Sequence, residues 1–542
     1  MKKISLLILG LSALFMAHAQ SFNWAAAKNI SCCSGINGMA IDNTGNIYVG
    51  GIFYGDNYVG PNYITSTTPF KYNSFVSKSN RNGKVLWVKT IGSNESSTVQ
   101  RIAADNSGNI FLTGFYRTDL VYEGDTLHSS GQNDAFIMKI DNAGTLLWWD
   151  HTIGTGSEFF YDVDVNDDGD AYVCGKFAGS MHVQEAYYFV SPESVTDMCV
   201  IKFDGATGEL IWARQSNSSL GNNSSGSRIA ADHSGNVYVL GNYSGNTTFG
   251  DYTLTGTFND YFISKLDDAS NFTYTNDVGD IPNGYVCNID VDGSDNTYIA
   301  GNFGFFSPFT ATISGSTITS PGNSEIFIAK YNPDFVMQWL ETGGGTTSGD
   351  FSNDLAVTND GDIYVACTSG SSVTFGTVSA TSSHPGFNDI TVVKYDNTGT
   401  EQWASVSGGV DYDAVSCIDI CEPGHYAAIA GIGGSNMFFG LKKVKKSNLY
   451  IARVTDAALR TSGGESLTAN FILYPNPASD VLYIDDLPAQ TTVQIMQVNG
   501  QIMYDETLDG SVEIDVKNMT AGIYFVRIKN AEMQTTQKII IQ

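Results

Sequence analysis

After its first twenty residues the chain has no apolar run long enough to cross a membrane. The N-terminal run, Ile4 to about Met16, is shorter than the ~20 apolar residues a spanning helix needs. Lys2 and Lys3 precede it and Ala17-His18-Ala19 follows, so residues 1–19 read as a secretory signal peptide. Positive charge is scarce: 28 Lys and Arg face 56 Asp and Glu, for a formal charge of −28. A phosphate backbone or an anionic membrane repels such a chain, which argues against nucleic acid as a partner. The eight cysteines, at 32, 33, 174, 199, 287, 367, 417 and 421, include no C-x-x-C pair, so zinc-site spacing is missing. There is no G-x-S-x-G and no H-E-x-x-H, and the six histidines after the leader are scattered. No catalytic set is legible.

What the sequence does have is a repeat. IDNTGNIYVGGIF at 41 returns as ADNSGNIFLTGFY at 104, VNDDGDAYVCGKF at 165 and ADHSGNVYVLGNY at 231. DGSDNTYIAGNF at 292, TNDGDIYVACTS at 358 and CEPGHYAAIAGI at 421 complete the series. Aligned on Tyr48, Phe111, Tyr172, Tyr238, Tyr298, Tyr364 and Tyr426, the copies lie 60 to 66 residues apart. A second motif follows each copy and ends on Trp87, Trp148, Trp212, Trp339 or Trp403; the fourth copy has an aromatic there instead. The seventh lacks this last piece, and Trp24, near the N-terminus, supplies it.

Alternation and Gly/Asn/Asp punctuation predict four strands, A to D, in each copy. Four-stranded units repeated radially make a β-propeller. The expected fold class is all-β: a seven-bladed propeller over residues 20–454, closed by the N-terminal strand. The two motifs resemble the seven-bladed propeller repeat family of exported bacterial proteins.

Residues 455–469 read as a polar linker. The segment 470–542 carries several short strands, enough for a small sandwich. It resembles the C-terminal sorting domain of the type IX secretion system of Bacteroidota, through Tyr474-Pro475-Asn476-Pro477, Gly500, Gly522-Ile523-Tyr524 and Lys538. The resemblance implies the type IX machinery as partner, and a secreted or cell-surface protein.

Short repeated A–B and C–D turns should occupy one face of the disc, and long dissimilar B–C and D–A connections the other. Function is expected on the variable face. Strand A should line the channel, with Gly38, Arg101, Asp162, Arg228, Asn288, Asp354 and Ser416 at its mouth. Of these, Arg101, Asp162, Arg228, Asn288 and Asp354 are the candidate ligand-binding residues; the other reading is that they pair with one another. The aromatics Phe159, Phe160, Tyr285, Phe351 and Tyr412 either stack on a ligand or pack between blades.

Asp164, Asn166 and Asp168, followed by Gly169, fit the start of a calcium loop, but position twelve is Gly175 where a Glu belongs, and the same residues suit a plain turn. A structural calcium is the one cofactor considered. Cys174 and Cys199, on neighbouring strands, either form a disulfide or are small buried thiols. The pattern Asp204-x-x-Thr207-Gly208-Glu209-x-x-Trp212 is similar to the tryptophan-docking repeat of pyrroloquinoline-quinone dehydrogenases, but it is complete only once. The expected function is a non-catalytic binding or adhesion scaffold for an extracellular polysaccharide, peptide or matrix ligand. The alternative is a hydrolase or lyase with Asp162 and Asp354 as its carboxylates.

Overall fold

The computed structural model describes residues 21–28, 35–455 and 472–542, less short stretches, the longest being 306–309, 321–323, 346–349, 383–387, 422–425, 445–448 and 530–533. The leader, Cys32, Cys33, the linker from 456 on, Pro475 and Asn476 lie outside the described residues. All regular structure among the described residues is β, and no helix there is long and apolar enough to cross a membrane.

Seven antiparallel units follow one another, each with its strands in the order A–B–C–D. The third is Glu158–Val165, Ala171–Ala178, Thr196–Phe203 and Leu210–Gln215. The seventh takes Ala414–Cys421, Tyr426–Ile432 and Leu449–Thr455 from one end of the repeat region and Ser21–Lys28 from the other. Each A strand packs on the A strand of the next unit, and the A strand of the seventh packs on Gly35–Ile41 of the first.

The repeated letters are structural. Asp42 Oδ1 accepts the backbone N–H groups of Thr44 and Asn46, while Oδ2 accepts Asn46 Nδ2 and the Tyr48 hydroxyl. Gly45 takes φ 81°, a conformation a side chain would disfavour. Asp232 and Asp292 repeat the same set of bonds.

The Lys and Trp of the second motif lock neighbouring units together. Lys78 pairs with Trp87 across strands C and D, and both Lys78 Nζ and Trp87 Nε1 donate to Asn142 O of the second unit, each at 3.1 Å. Lys139 and Trp148 do the same to Gly205 O, and Lys330 and Trp339 to Asn397 O. In the seventh unit the register brings Trp24 opposite Arg453, the position that Lys and Trp hold elsewhere.

Two details differ from expectation. In the seventh unit Ala428, not Tyr426, pairs with Arg453, so the marker aromatic is two residues out of step. Each A strand carries a bulge, and the residue just past it in the seventh unit is Cys417, not Ser416, level with Asp162 and Asp354. The B–C connections are also more regular than the sequence suggested. Each holds a short hairpin, such as Ser180–Val183 with Tyr187–Val190, and several of these pair with strand D of the preceding unit.

The Cys174–Cys199 disulfide is not formed. Cys174 pairs with Val200 and Cys199 with Gly175, so adjacent register positions aim the two sulfurs at opposite faces of the sheet. Both are buried free thiols, in different hydrophobic clusters.

Residues 472–542 form a separate five-stranded sheet with its own core, including Leu482, Val493, Val526 and Ile539. Two of its strands are long, Val481–Gln497 and Ile502–Asp515, where several short ones were expected. Gly500 makes the turn between them, at φ 86°. Tyr524 is buried and donates to Thr520 O, Lys538 pairs with Phe525, and Pro477 is exposed. This sheet meets the first unit at Arg81, which donates to Val512 O at 2.9 Å and lies over the Tyr483 ring.

Candidate binding face and channel

The inner ends of the A strands surround two cavities, one on each side of a polar layer. Arg101 makes that layer. Its guanidinium lies 3.8 Å from Asp162 Oδ1 and 3.5 Å from Asp354 Oδ2, and it donates to Asn37 O. Asp162 Oδ2 accepts the Ile229 N–H at 3.0 Å, and Asp354 Oδ2 accepts the Ile418 N–H at 3.1 Å. Asn288 Nδ2 donates to Asp354 Oδ1 and to Leu355 O. Four of the five candidate ligand-binding residues, Arg101, Asp162, Asn288 and Asp354, are thus brought together and bonded to one another and to inner-strand backbone. Burial raises both carboxylates and the Arg101 charge opposes that rise. Burial also works against the guanidinium's charge, but Asp354 and Asp162 more than offset it.

The cavity on the A–B side, about 270 Å³, is acidic. Asp164, Asp290 and Asp419 line it, each two residues past the polar layer. Each also accepts a backbone N–H from the next unit, at Ala231, Val357 and Ile41. Burial pushes Asp164 up to about 6, Asp419 up to about 7 and Asp290 well above the usual carboxylate range. Sequence reasoning did not single out Asp290 or Asp419; the register of Asp164 across the repeats was the signal that would have found them. Asp164 is therefore turned to the channel and bonded to Ala231, while Asn166 Oδ1 caps its own turn through Asp170 N–H and Asp168 is exposed. The three do not converge on one point.

The cavity on the D–A side, about 510 Å³, has the opposite character. Arg101, Arg228, Tyr161, Tyr285, Asn37 and Gln100 line it. It continues into a groove of about 570 Å³ between the third and fourth units, sharing Tyr161 and Arg228 and adding Lys176 and Asn223. Lys176 Nζ sits over the Phe159 and Tyr161 rings, which stack on each other at 5.9 Å. Among the described residues neither Arg228 nor Lys176 has a carboxylate within ion-pair distance, and Arg228 Nε is buried without a hydrogen-bond partner. Of the other aromatics, Phe160 is buried in the core, Phe351 packs on Phe305, and Tyr412 is 58% exposed. Lys176 and Tyr161 were missed because only their neighbours in register identify them.

Residues 472–542 match the secretion system C-terminal sorting domain. The chain therefore carries a type IX sorting tail and is exported to the cell surface or released. An uncharacterized WD repeat-containing protein of Acanthamoeba polyphaga mimivirus is 24% identical over 194 residues; the match spans 30% of this chain and 14% of that relative. Among solved structures, PorZ, a surface component of the type IX secretion system of Porphyromonas gingivalis, aligns over 96% of this chain and 100% of its own. It is 10% identical, with a TM-score of 0.19. A PL25 ulvan lyase aligns over 81% of this chain and 100% of its own, at 10% identity and a TM-score of 0.40. None of these likenesses is close enough to assign an activity.

Proposed function

We propose that the exported chain is a non-catalytic receptor for an anionic extracellular ligand, an acidic polysaccharide first among them, held on the D–A face. In this reading the seven units are the blades of a propeller over residues 20–454, closed by the N-terminal strand. Residues 470–542 are a sandwich-like tail that engages the type IX machinery, and residues 1–19 are the leader. The cyclic packing of the A strands supports the propeller.

One observation carries the binding proposal. In a chain with twice as many acids as bases, Arg228 and Lys176 line one groove with no ion pair among the described residues, Asp162 and Asp354 acting on Arg228 only from beyond contact. Cations free of a direct ion pair beside an aromatic pair suit a ligand that brings its own charge and a flat apolar face. The hydrolase or lyase reading is weaker, because Asp162 and Asp354 are both tied to Arg101 and to backbone N–H groups. Incubating the purified protein with acidic and neutral polysaccharides, and reading both retention and reducing-end release, tests the proposal. Retention of acidic polymers without cleavage is expected; cleavage abolished by Asp162→Asn in a folded protein would overturn it.

A further inference from the structure

The D–A cavity is blind. Each of the seven A strands contributes to its wall, so it lies on the axis of the ring they form. Its floor is the polar layer, where Arg101 lies against Asp162 and Asp354 and Asn288 donates to Asp354. Beyond that floor Asp164, Asp290 and Asp419 line the second cavity. A chain that carries negative charge therefore has no way on through the ring, because the passage is both bonded shut and acidic.

The side walls are unequal. Between the third and fourth units the cavity runs out into the groove, and Tyr161, Ser227 and Arg228 line both spaces. Across the ring the seventh unit presents Ala414, Val415 and Ser416, flanked by Asn353 of the sixth and Ile36 of the first, all uncharged. The cations mark one route instead: Lys176 in the groove, Arg228 where groove meets cavity, and Arg101 in the floor. Among the described residues no Asp or Glu lines either space. Burial, and after it the Arg101 charge, lower the Arg228 pKa despite Asp162 and Asp354, a cost that a ligand carboxylate relieves.

A dead-end cavity with a single charged approach suits the end of a polymer, not its middle. Its volume, about 510 Å³, falls within the ~300–1,000 Å³ of small-molecule pockets. A guanidinium pairs well with a planar carboxylate, and the Tyr161 ring at the junction offers a flat face to a sugar. Resting on the acidic-polysaccharide reading above, we propose that the site captures a chain end. A terminal uronic acid sits in the axial cavity with its carboxylate on Arg228, and the sugars behind it leave along the groove past Tyr161 and Lys176. The protein then counts chains, not sugars, and fragments made by an endo-acting depolymerase are better ligands per sugar than the intact polymer.

The test titrates the full chain by calorimetry with polygalacturonate, intact and hydrolysed to short fragments. One protein per chain is expected at either length, so that capacity per sugar rises in proportion to the number of chains. Arg228→Ala should weaken binding of both about tenfold or more, the loss of a charge-assisted hydrogen bond. Ser416→Tyr, which fills the cavity from its far wall and leaves the groove intact, should do the same. Many proteins per intact chain, with binding still dependent on Arg228 and Lys176, would overturn chain-end capture and leave the receptor reading standing. So would binding untouched by Ser416→Tyr in a folded protein. Failure of both polymer and fragments to bind would overturn both.

Discussion

The Asp162 carboxylate accepts the backbone N–H of Ile229 in the next unit, at 3.0 Å, while its other oxygen faces Arg101. A residue in the position of a catalytic acid thus seals one inner strand to its neighbour. Asp164 on Ala231, Asp290 on Val357, Asp354 on Ile418 and Asp419 on Ile41 act in the same way. An inner strand has an edge with unpaired N–H groups, and a carboxylate from the preceding unit satisfies it.

Replacing Asp162 should therefore cost stability before anything else. Asp162→Ala leaves Arg101 short of a partner and the Ile229 N–H bare, a loss of about 3–5 kcal/mol. Asp162→Asn keeps one acceptor and should cost about 1–3 kcal/mol. Denaturant unfolding measures both, and equal stability of all three proteins would contradict the structural role.

Closure by the N-terminal strand can be tested separately. Ser21–Lys28 pairs along Leu449–Thr455 with Trp24 opposite Arg453. A chain beginning at residue 35 loses that strand and exposes the edge of the seventh unit. At ~0.5–1.5 kcal/mol for each net hydrogen bond, the loss is several kcal/mol. It should appear as a lowered Tm; an unchanged Tm would refute closure.

Stability should fall as pH rises. The carboxyls of Asp164, Asp419 and Glu158 are held above their unfolded values, to about 6, 7 and 9. A carboxyl raised in the fold favours the folded state while protonated, so its contribution is complete below about pH 4 and is lost as pH passes the folded value. The protein should lose stability in steps between pH 4 and 9. Asp419→Asn should flatten the step near 7. A flat profile over this range would argue against the buried acids as drawn.

The thiols offer a chemical check. Alkylation of the unreduced, denatured protein followed by peptide mass analysis should find Cys174 and Cys199 both modified. A Cys174–Cys199 cross-link would contradict the register of their strands.

The repeat was legible because its letters answer local demands: Asp42 and Gly45 for the turn, Lys78 and Trp87 for the clamp. The hairpins in the B–C connections were also written in alternation, as in SMHV and YYFV, but without motif residues to mark them. The candidate layer was legible at Arg101, Asp162, Asn288 and Asp354, since a count from the marker aromatic reaches them. It slipped at Ser416, where the seventh unit's marker is Ala428 and has no ring to count from. Lys176 and Tyr161 depend on packing between units, which no single stretch of chain encodes.

The binding face is tested most directly by the affinity of the folded protein for an acidic polysaccharide, measured beside Arg228→Ala, Lys176→Ala and Asp290→Asn. Binding without cleavage is expected, weakened about tenfold or more by each groove substitution, as befits a charge-assisted hydrogen bond of ~1.5–3 kcal/mol, and unchanged by Asp290→Asn on the opposite cavity. Binding that is indifferent to Arg228 and Lys176 but altered by Asp290→Asn would place the ligand on the other face and contradict the account.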